Sequence, residues 1–210
     1  MNPKELAQNL RKPSGEIGIE VGEFMYKGNA SFYQNIKQFI HFNQASIIGE
    51  IGVGAGKHIA DLIHEEVKYY AMDYSETMIN ETQKNCKHLK NVECIYCDAK
   101  NIPVQDNFFD LLFCVNTIYF WDDLNKFFNE FNRVLKNKGE LIIGKRTFED
   151  IVALHQITQF GFVNYTFEDI VQYANQVGFS LVNHLILDEN ETNVKGITYK
   201  LHNEFIHLKK

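Results

Sequence analysis

A chain of 210 residues, 45% of them hydrophobic, can bury one sizeable core, which points to one domain and excludes a second catalytic one. The formal charge is −6 and the basic residues are scattered, which excludes a broad electrostatic footprint for nucleic acid or anionic lipid. With no apolar signal core at the N-terminus and no apolar run near the ~20 residues of a membrane span, the sequence reads as a soluble, cytoplasmic protein with a small or neutral partner.

Asn2, Pro3 and Glu5 combine a cap, a first-turn proline and an acid at the third position, which predicts a short helix to about Leu10. The run from Arg11 to Ala30 holds four glycines and a proline among apolar residues and is too irregular for one helix or strand. Phe32, Ile36, Phe39 and Ile40 then recur at helical spacing, predicting an amphipathic helix over Ser31 to Phe42. Residues 1–44 are therefore expected to form an N-terminal helical extension, and residues 45–210 the main domain.

From Ser46 an apolar run leads into an acid, Glu50, and three glycines at alternate positions, Gly52, Gly54 and Gly56. A helix-like pattern with Ile59, Leu62 and Ile63 on one face follows. This is a strand, a tight turn and a helix. Glycines let the turn adopt positive φ and approach a ligand closely, while a helix start offers unpaired N–H groups. Two better-known nucleotide turns fail on spacing. The dinucleotide fingerprint would need glycine at Lys57 or Ile59, and the P-loop would need glycine at Ile51 and a hydroxyl at His58.

A second strand, YYAMDYS, ends in Asp73, and Ser75 caps a helix whose stripe is Met78, Ile79, Thr82, Cys86 and Leu89. VECIYC reads as a third strand. Its Cys94 and Cys97, three apart, point to opposite faces, and without a second pair or an HExxH motif they argue against a metal or redox role. FDLLFCV makes a fourth strand. Leu124, Phe127, Phe128, Phe131, Val134 and Leu135 form the strongest helical stripe, with Gly139 as its stop, before a fifth strand, ELIIG. The segment from Lys145 to Asn164 exceeds a usual connection. Thr166 and Asp169 then form a capping box, with Tyr165 placed to staple onto Ile170 and Gly178 ending the helix. SLVNHLILD and GITYKLHNEF predict a closing hairpin at the sheet edge. Alternating strands and helices imply a parallel sheet covered on both faces, with a ligand across the carboxyl ends of its strands.

The acid-x-Gly-x-Gly-x-Gly turn, Asp73, the Asp98-Ala99 pair in CIYCDAKNIP, and FDLLFCVNTIYFW followed by LKNKGELII occur in one order. In that order the chain resembles the class I S-adenosylmethionine-dependent methyltransferases, in a methyltransferase type 11-like form, over roughly residues 45–179. The resemblance implies an α/β fold: a doubly wound, mostly parallel seven-stranded sheet with a C-terminal antiparallel hairpin. It implies S-adenosyl-L-methionine as cofactor, with Glu50 and the backbone of Gly52, Gly54 and Gly56 at the methionine end. Asp73, with Tyr74 beside it, would hold the ribose; Asp98 and Ala99 would meet the adenine, and Asn116 would lie near the reacting centre. Lys12, Pro13, Gly15, Met25, Gly28 and Asn29 resemble the segment before motif I in a bacterial branch, which implies a lid over the cofactor.

Asn116-Thr117-Ile118-Tyr119 overlays the Asn/Asp-Pro-Pro-aromatic motif of amino-group methyltransferases but lacks both prolines, so their substrates are not specified. Tyr26, Tyr119, Trp121 and His155 are instead expected to line an enclosed pocket for a small-molecule methyl acceptor, with no nucleic acid, membrane or metal involved. His155 and Tyr26 are the candidate general bases. A nicotinamide-dependent oxidoreductase and a non-catalytic S-adenosylmethionine-binding module stand as alternatives, and the sequence fixes no oligomeric state.

Overall fold

The expected strands assemble into one seven-stranded sheet in a computed structural model that describes residues 1–40, 46–189, 192–194 and 197–210. Strands β1 (Ile47–Ile51), β2 (Lys68–Asp73), β3 (Val92–Tyr96), β4 (Phe109–Val115) and β5 (Leu135–Lys145) are parallel. After β6 (Ser180–Asp188) and a separate two-stranded hairpin of β7 (Thr192–Val194) and β8 (Ile197–Tyr199), strand β9 (His202–Lys209) runs antiparallel between β5 and β6. The order is β3-β2-β1-β4-β5-β9-β6. The chain leaves β1 toward β2 and β3 and returns on the other side with β4, so a crevice opens at the carboxyl ends of β1 and β4.

Helices cover both faces, which is why the central strands bury apolar residues on both sides rather than alternating with polar ones. One face is packed by α6 (Leu124–Val134) and α9 (Phe167–Gln176), through Phe128, Phe131, Ile170 and Ala174. The other is packed by α3 (Ala30–Ile36), α4 (Ile59–Leu62) and α5 (Glu76–Cys86), through Phe32, Ile36, Ile59 and Ile79. Each fully buried phenylalanine or isoleucine among these contributes about 1.5–3 kcal/mol.

Several elements differ from the expectations, each for a tertiary reason. The N-terminal helix α1 (Pro3–Arg11) has its reciprocal box between Asn2 and Glu5, but the glycine-rich stretch after it is also helical, α2 (Gly15–Gly28). Its glycines permit close approach: a Cβ on Gly18 would lie 2.6 Å from the Pro13 carbonyl carbon, and one on Gly22 would lie 2.9 Å from Met78 Sδ of α5. Tight packing thereby offsets the ~1 kcal/mol that each glycine costs a helix. Helix α3 stops at Ile36; Phe39 and Ile40 are buried in the turn beyond it, and Phe42 lies outside the described residues. Gly139 is not a helix stop. Helix α6 ends where Leu135 pairs with Phe109, and Gly139 sits inside β5, where a Cβ would meet the Lys136 carbonyl oxygen at 2.8 Å. Helix α4 is a single turn, so the glycine loop, rather than a helix end, supplies the ligand-facing backbone. The closing strands do pair, but β9 is interior and only β6 forms the edge. The long segment after β5 folds as α7 (Phe148–Ala153) and α8 (His155–Thr158).

Candidate active site

Above the carboxyl ends of β1 to β5 lies a cavity of about 930 Å³, bounded by the glycine loop, by α1 and α2, and by α7 and α8. The two N-terminal helices are fastened across it. Ser75 Oγ donates to the Pro13 carbonyl, Gly15 N–H donates to Thr77 Oγ1 at 3.2 Å, Lys57 pairs with Glu23, and the Lys12 ammonium sits 3.9 Å above the Tyr74 ring. No helix of the described residues is long and apolar enough to cross a membrane, and no group of three or more His, Cys, Asp or Glu among them is placed to hold a metal ion.

The loop after β1 holds Gly52, Gly54 and Gly56 at φ of 74°, 61° and 67°, a region that costs other residues about 1–2 kcal/mol. The three have different neighbours. A Cβ on Gly52 would collide with Thr117, and one on Gly56 would meet Thr82 Cγ2 at 2.6 Å, whereas one on Gly54 would meet nothing within 4 Å. Gly54 thus leaves an open cradle in the cavity floor. The Asp73 carboxylate braces it from the end of β2: Oδ2 accepts from Gly54 N–H at 2.9 Å and Oδ1 from Ser75 N–H at 2.8 Å. Burial pushes the Asp73 carboxyl up to about 6, against the opposing effect of those two backbone donors. Tyr74, Asp98 and Ala99 continue the same wall beyond β2 and β3.

At the end of β4, Asn116 has a φ of 53° and its side chain is engaged at both ends. Its Nδ2 donates to Asn29 Oδ1 at 2.9 Å, and its Oδ1 accepts from the Tyr119 hydroxyl at 2.9 Å. Tyr119 in turn accepts from Arg146 N–H, and the Arg146 guanidinium donates to the Gly28 carbonyl at 3.2 Å, closing a ring of hydrogen bonds. Arg146 also pairs with Glu189 and lies 4.9 Å over Phe32. Burial drives the Tyr119 hydroxyl pKa well up, so this phenol is a fixed wall, not a base. Arg146 was not readable beforehand, because its partners Gly28, Glu189 and Asn203 are scattered along the chain.

Tyr26 lines the cavity from α2, and Trp121 lines it from the turn after β4, stacked 4.9 Å from Phe127. His155 does not belong to it. The side chain is exposed, because the single turn of α8 presents Ile157 and Thr158 to the cavity instead. Glu50 is also placed differently: it is wholly buried behind the loop and absent from the cavity wall. Its Oε2 accepts from the Tyr69 hydroxyl at 2.5 Å and from His58 Nε2 at 2.8 Å, while Oε1 has no hydrogen-bond partner among the described residues. His58 and Tyr33, which line the cavity and stack at 3.6 Å with their planes 9° apart, carried no pattern in the sequence.

This sheet order is that of the class I S-adenosylmethionine-dependent methyltransferase fold, and part of the chain matches a methyltransferase domain. Residues 49–143 match the family model described as a methyltransferase domain. A demethylmenaquinone methyltransferase of Staphylococcus haemolyticus is 33% identical over 79 residues, which cover 38% of this chain and 32% of that one. Across the curated relatives it matches, the chain covers between 30% and 42% of their length. Among solved structures, an S-adenosylmethionine-dependent methyltransferase from Aquifex aeolicus superposes with a TM-score of 0.63 at 18% identity, covering 99% of this chain and 98% of that one. One from Methanosarcina mazei gives 0.65 at 15% identity, covering 80% and 94%. S-adenosylmethionine is the family's cofactor, and the residues fit it: the open cradle at Gly54, a carboxylate beside it at Asp73, and a longer wall toward Asp98.

Proposed function

We propose that this protein transfers the methyl group of S-adenosylmethionine to a small, partly apolar acceptor enclosed beneath α1, α2, α7 and α8. The observation that carries the reading is the cavity itself. Its lining is mainly apolar and includes Leu10, Phe120, Leu154, Ile157 and Phe162 beside the glycine loop, which suits a small, partly apolar acceptor. The name of the staphylococcal relative, a demethylmenaquinone methyltransferase, agrees with an apolar acceptor. The match to a methyltransferase domain favours methyl transfer over nicotinamide chemistry.

The cofactor, when bound, supplies a methyl group already activated on a sulfonium that departs as a neutral thioether. The chain has to hold two molecules in line at about 3 Å and keep water out. Asp73 fixes the loop and offers its remaining lone pairs to the ribose, and Tyr74, Asp98 and Ala99 border the adenine. Asn116, bonded at both ends inside the protein, shapes the reacting centre without offering a free carbonyl to an acceptor amine. Tyr26 is the candidate base that remains on the cavity wall. Incubation with methyl-labelled cofactor and a panel of apolar metabolites tests the proposal: label should enter a small organic product. Label confined to macromolecules would reject it.

A further inference from the structure

Glu50 and His58 form a buried pair under the cofactor loop whose arrangement differs from the role assigned to the acid alone. Glu50 is 0% exposed and His58 4%, yet only His58 reaches the cavity wall. Glu50 Oε2 already accepts from the Tyr69 hydroxyl, so the 2.8 Å contact with His58 Nε2 places a proton on that nitrogen. Nδ1 is left without a hydrogen-bond partner among the described residues. Tyr33 of α3 lies flat against the ring and fixes its plane.

The cofactor's orientation follows from the other anchors. Asp73 ends β2 and Asp98 follows β3, so a nucleoside held by them points that way. The amino-acid end must then lie across the glycine loop, toward β1 and β4, where His58, Tyr33, Asn29 and Asn116 line the cavity. We propose that His58 Nδ1 accepts a hydrogen bond from the α-ammonium of the bound cofactor. Glu50 and Tyr33 are then positioning residues that set its tautomer and its plane. The buried Glu50 carboxylate gives this end of the cavity a negative field, which suits a cation better than a carboxylate. The inference rests on the S-adenosylmethionine reading above.

Calorimetric affinities of three ligands test it: S-adenosylhomocysteine, its decarboxylated form, which keeps the amine, and 5′-methylthioadenosine, which lacks the amino-acid end. His58→Ala should weaken the first two by about tenfold, the loss of one charge-assisted hydrogen bond, and leave methylthioadenosine unchanged. Asp73→Ala should weaken all three. His58→Phe keeps a ring against Tyr33 and should reproduce the ligand-selective loss if the alanine variant folds poorly. Equal loss for all three ligands would make His58 merely structural, and a loss confined to S-adenosylhomocysteine would assign the contact to the carboxylate; either overturns the proposal, as does no loss. Failure of the wild-type protein to bind any of the three would instead reject the cofactor reading.

Discussion

At the scale of single residues, Gly54 and Asp73 make the sharpest claims, because one leaves a space and the other fills it with charge. Gly54→Val places a branched side chain in the cradle from a backbone of φ 61°. Binding of S-adenosylhomocysteine should be lost by calorimetry, while far-ultraviolet dichroism stays that of a folded protein. Asp73 predicts two opposed pH effects. Its folded carboxyl, at about 6, lies above the ordinary 3.8, so the native state holds a proton that the unfolded chain releases. Stability therefore falls as pH rises from about 4 to about 6, and levels above. Cofactor affinity should do the reverse, declining as the pH drops through about 6, because the ribose hydroxyls need the ionised acceptor. Asp73→Asn should flatten both trends in paired melting and titration series. That these two residues border the cavity was legible in the sequence, because the glycine spacing and a strand ending in acid are local. His58, Tyr33 and Arg146 were not, since what defines them is a contact with a distant partner.

At the scale of elements, α2 shows how a local rule can mislead. Four glycines read as punctuation, yet two of them are packing positions, and only the third dimension distinguishes the cases. Gly18→Val should therefore act against helix propensity: the new side chain improves α2 as an isolated helix but meets the Pro13 backbone. The expected result is faster proteolysis between residues 11 and 29 and weaker cofactor binding, with the main melting transition retained. Across the sheet, Lys145 of β5 and Glu204 of β9 form a 2.6 Å ion pair, 0% and 5% exposed, that also engages His184 of β6. Lys145→Met alone leaves a buried carboxylate under-compensated and should cost about 3–5 kcal/mol in chemical denaturation. Adding Glu204→Leu should recover most of that loss. The strand β5 was foreseen only in part, because its start is dictated by pairing of Leu135 with Phe109 rather than by any pattern of its own.

At the scale of the whole molecule, a net charge of −6 and a mainly apolar cavity predict what the protein leaves alone. No salt-sensitive labelling of tRNA, DNA or total cell protein should appear with methyl-labelled cofactor. The position of β9 has a consequence in time as well as in space. This strand is made after β6, yet it is threaded between β5 and β6, with Phe205, Ile206 and Leu208 wholly buried. Its Asn203 and the His202 carbonyl also hold the Arg146 guanidinium that closes the cavity. A ribosome that has released 200 residues still carries a sheet with a gap beside β5, two hydrophobic surfaces facing water, and an unanchored Arg146. Closure of the sheet must wait for β9, and the emerging chain stays ligand-free until that strand is released. Arrested nascent chains ending before residue 202 should be protease-sensitive and blind to S-adenosylhomocysteine, while those with β9 clear of the exit tunnel should gain protection and binding together.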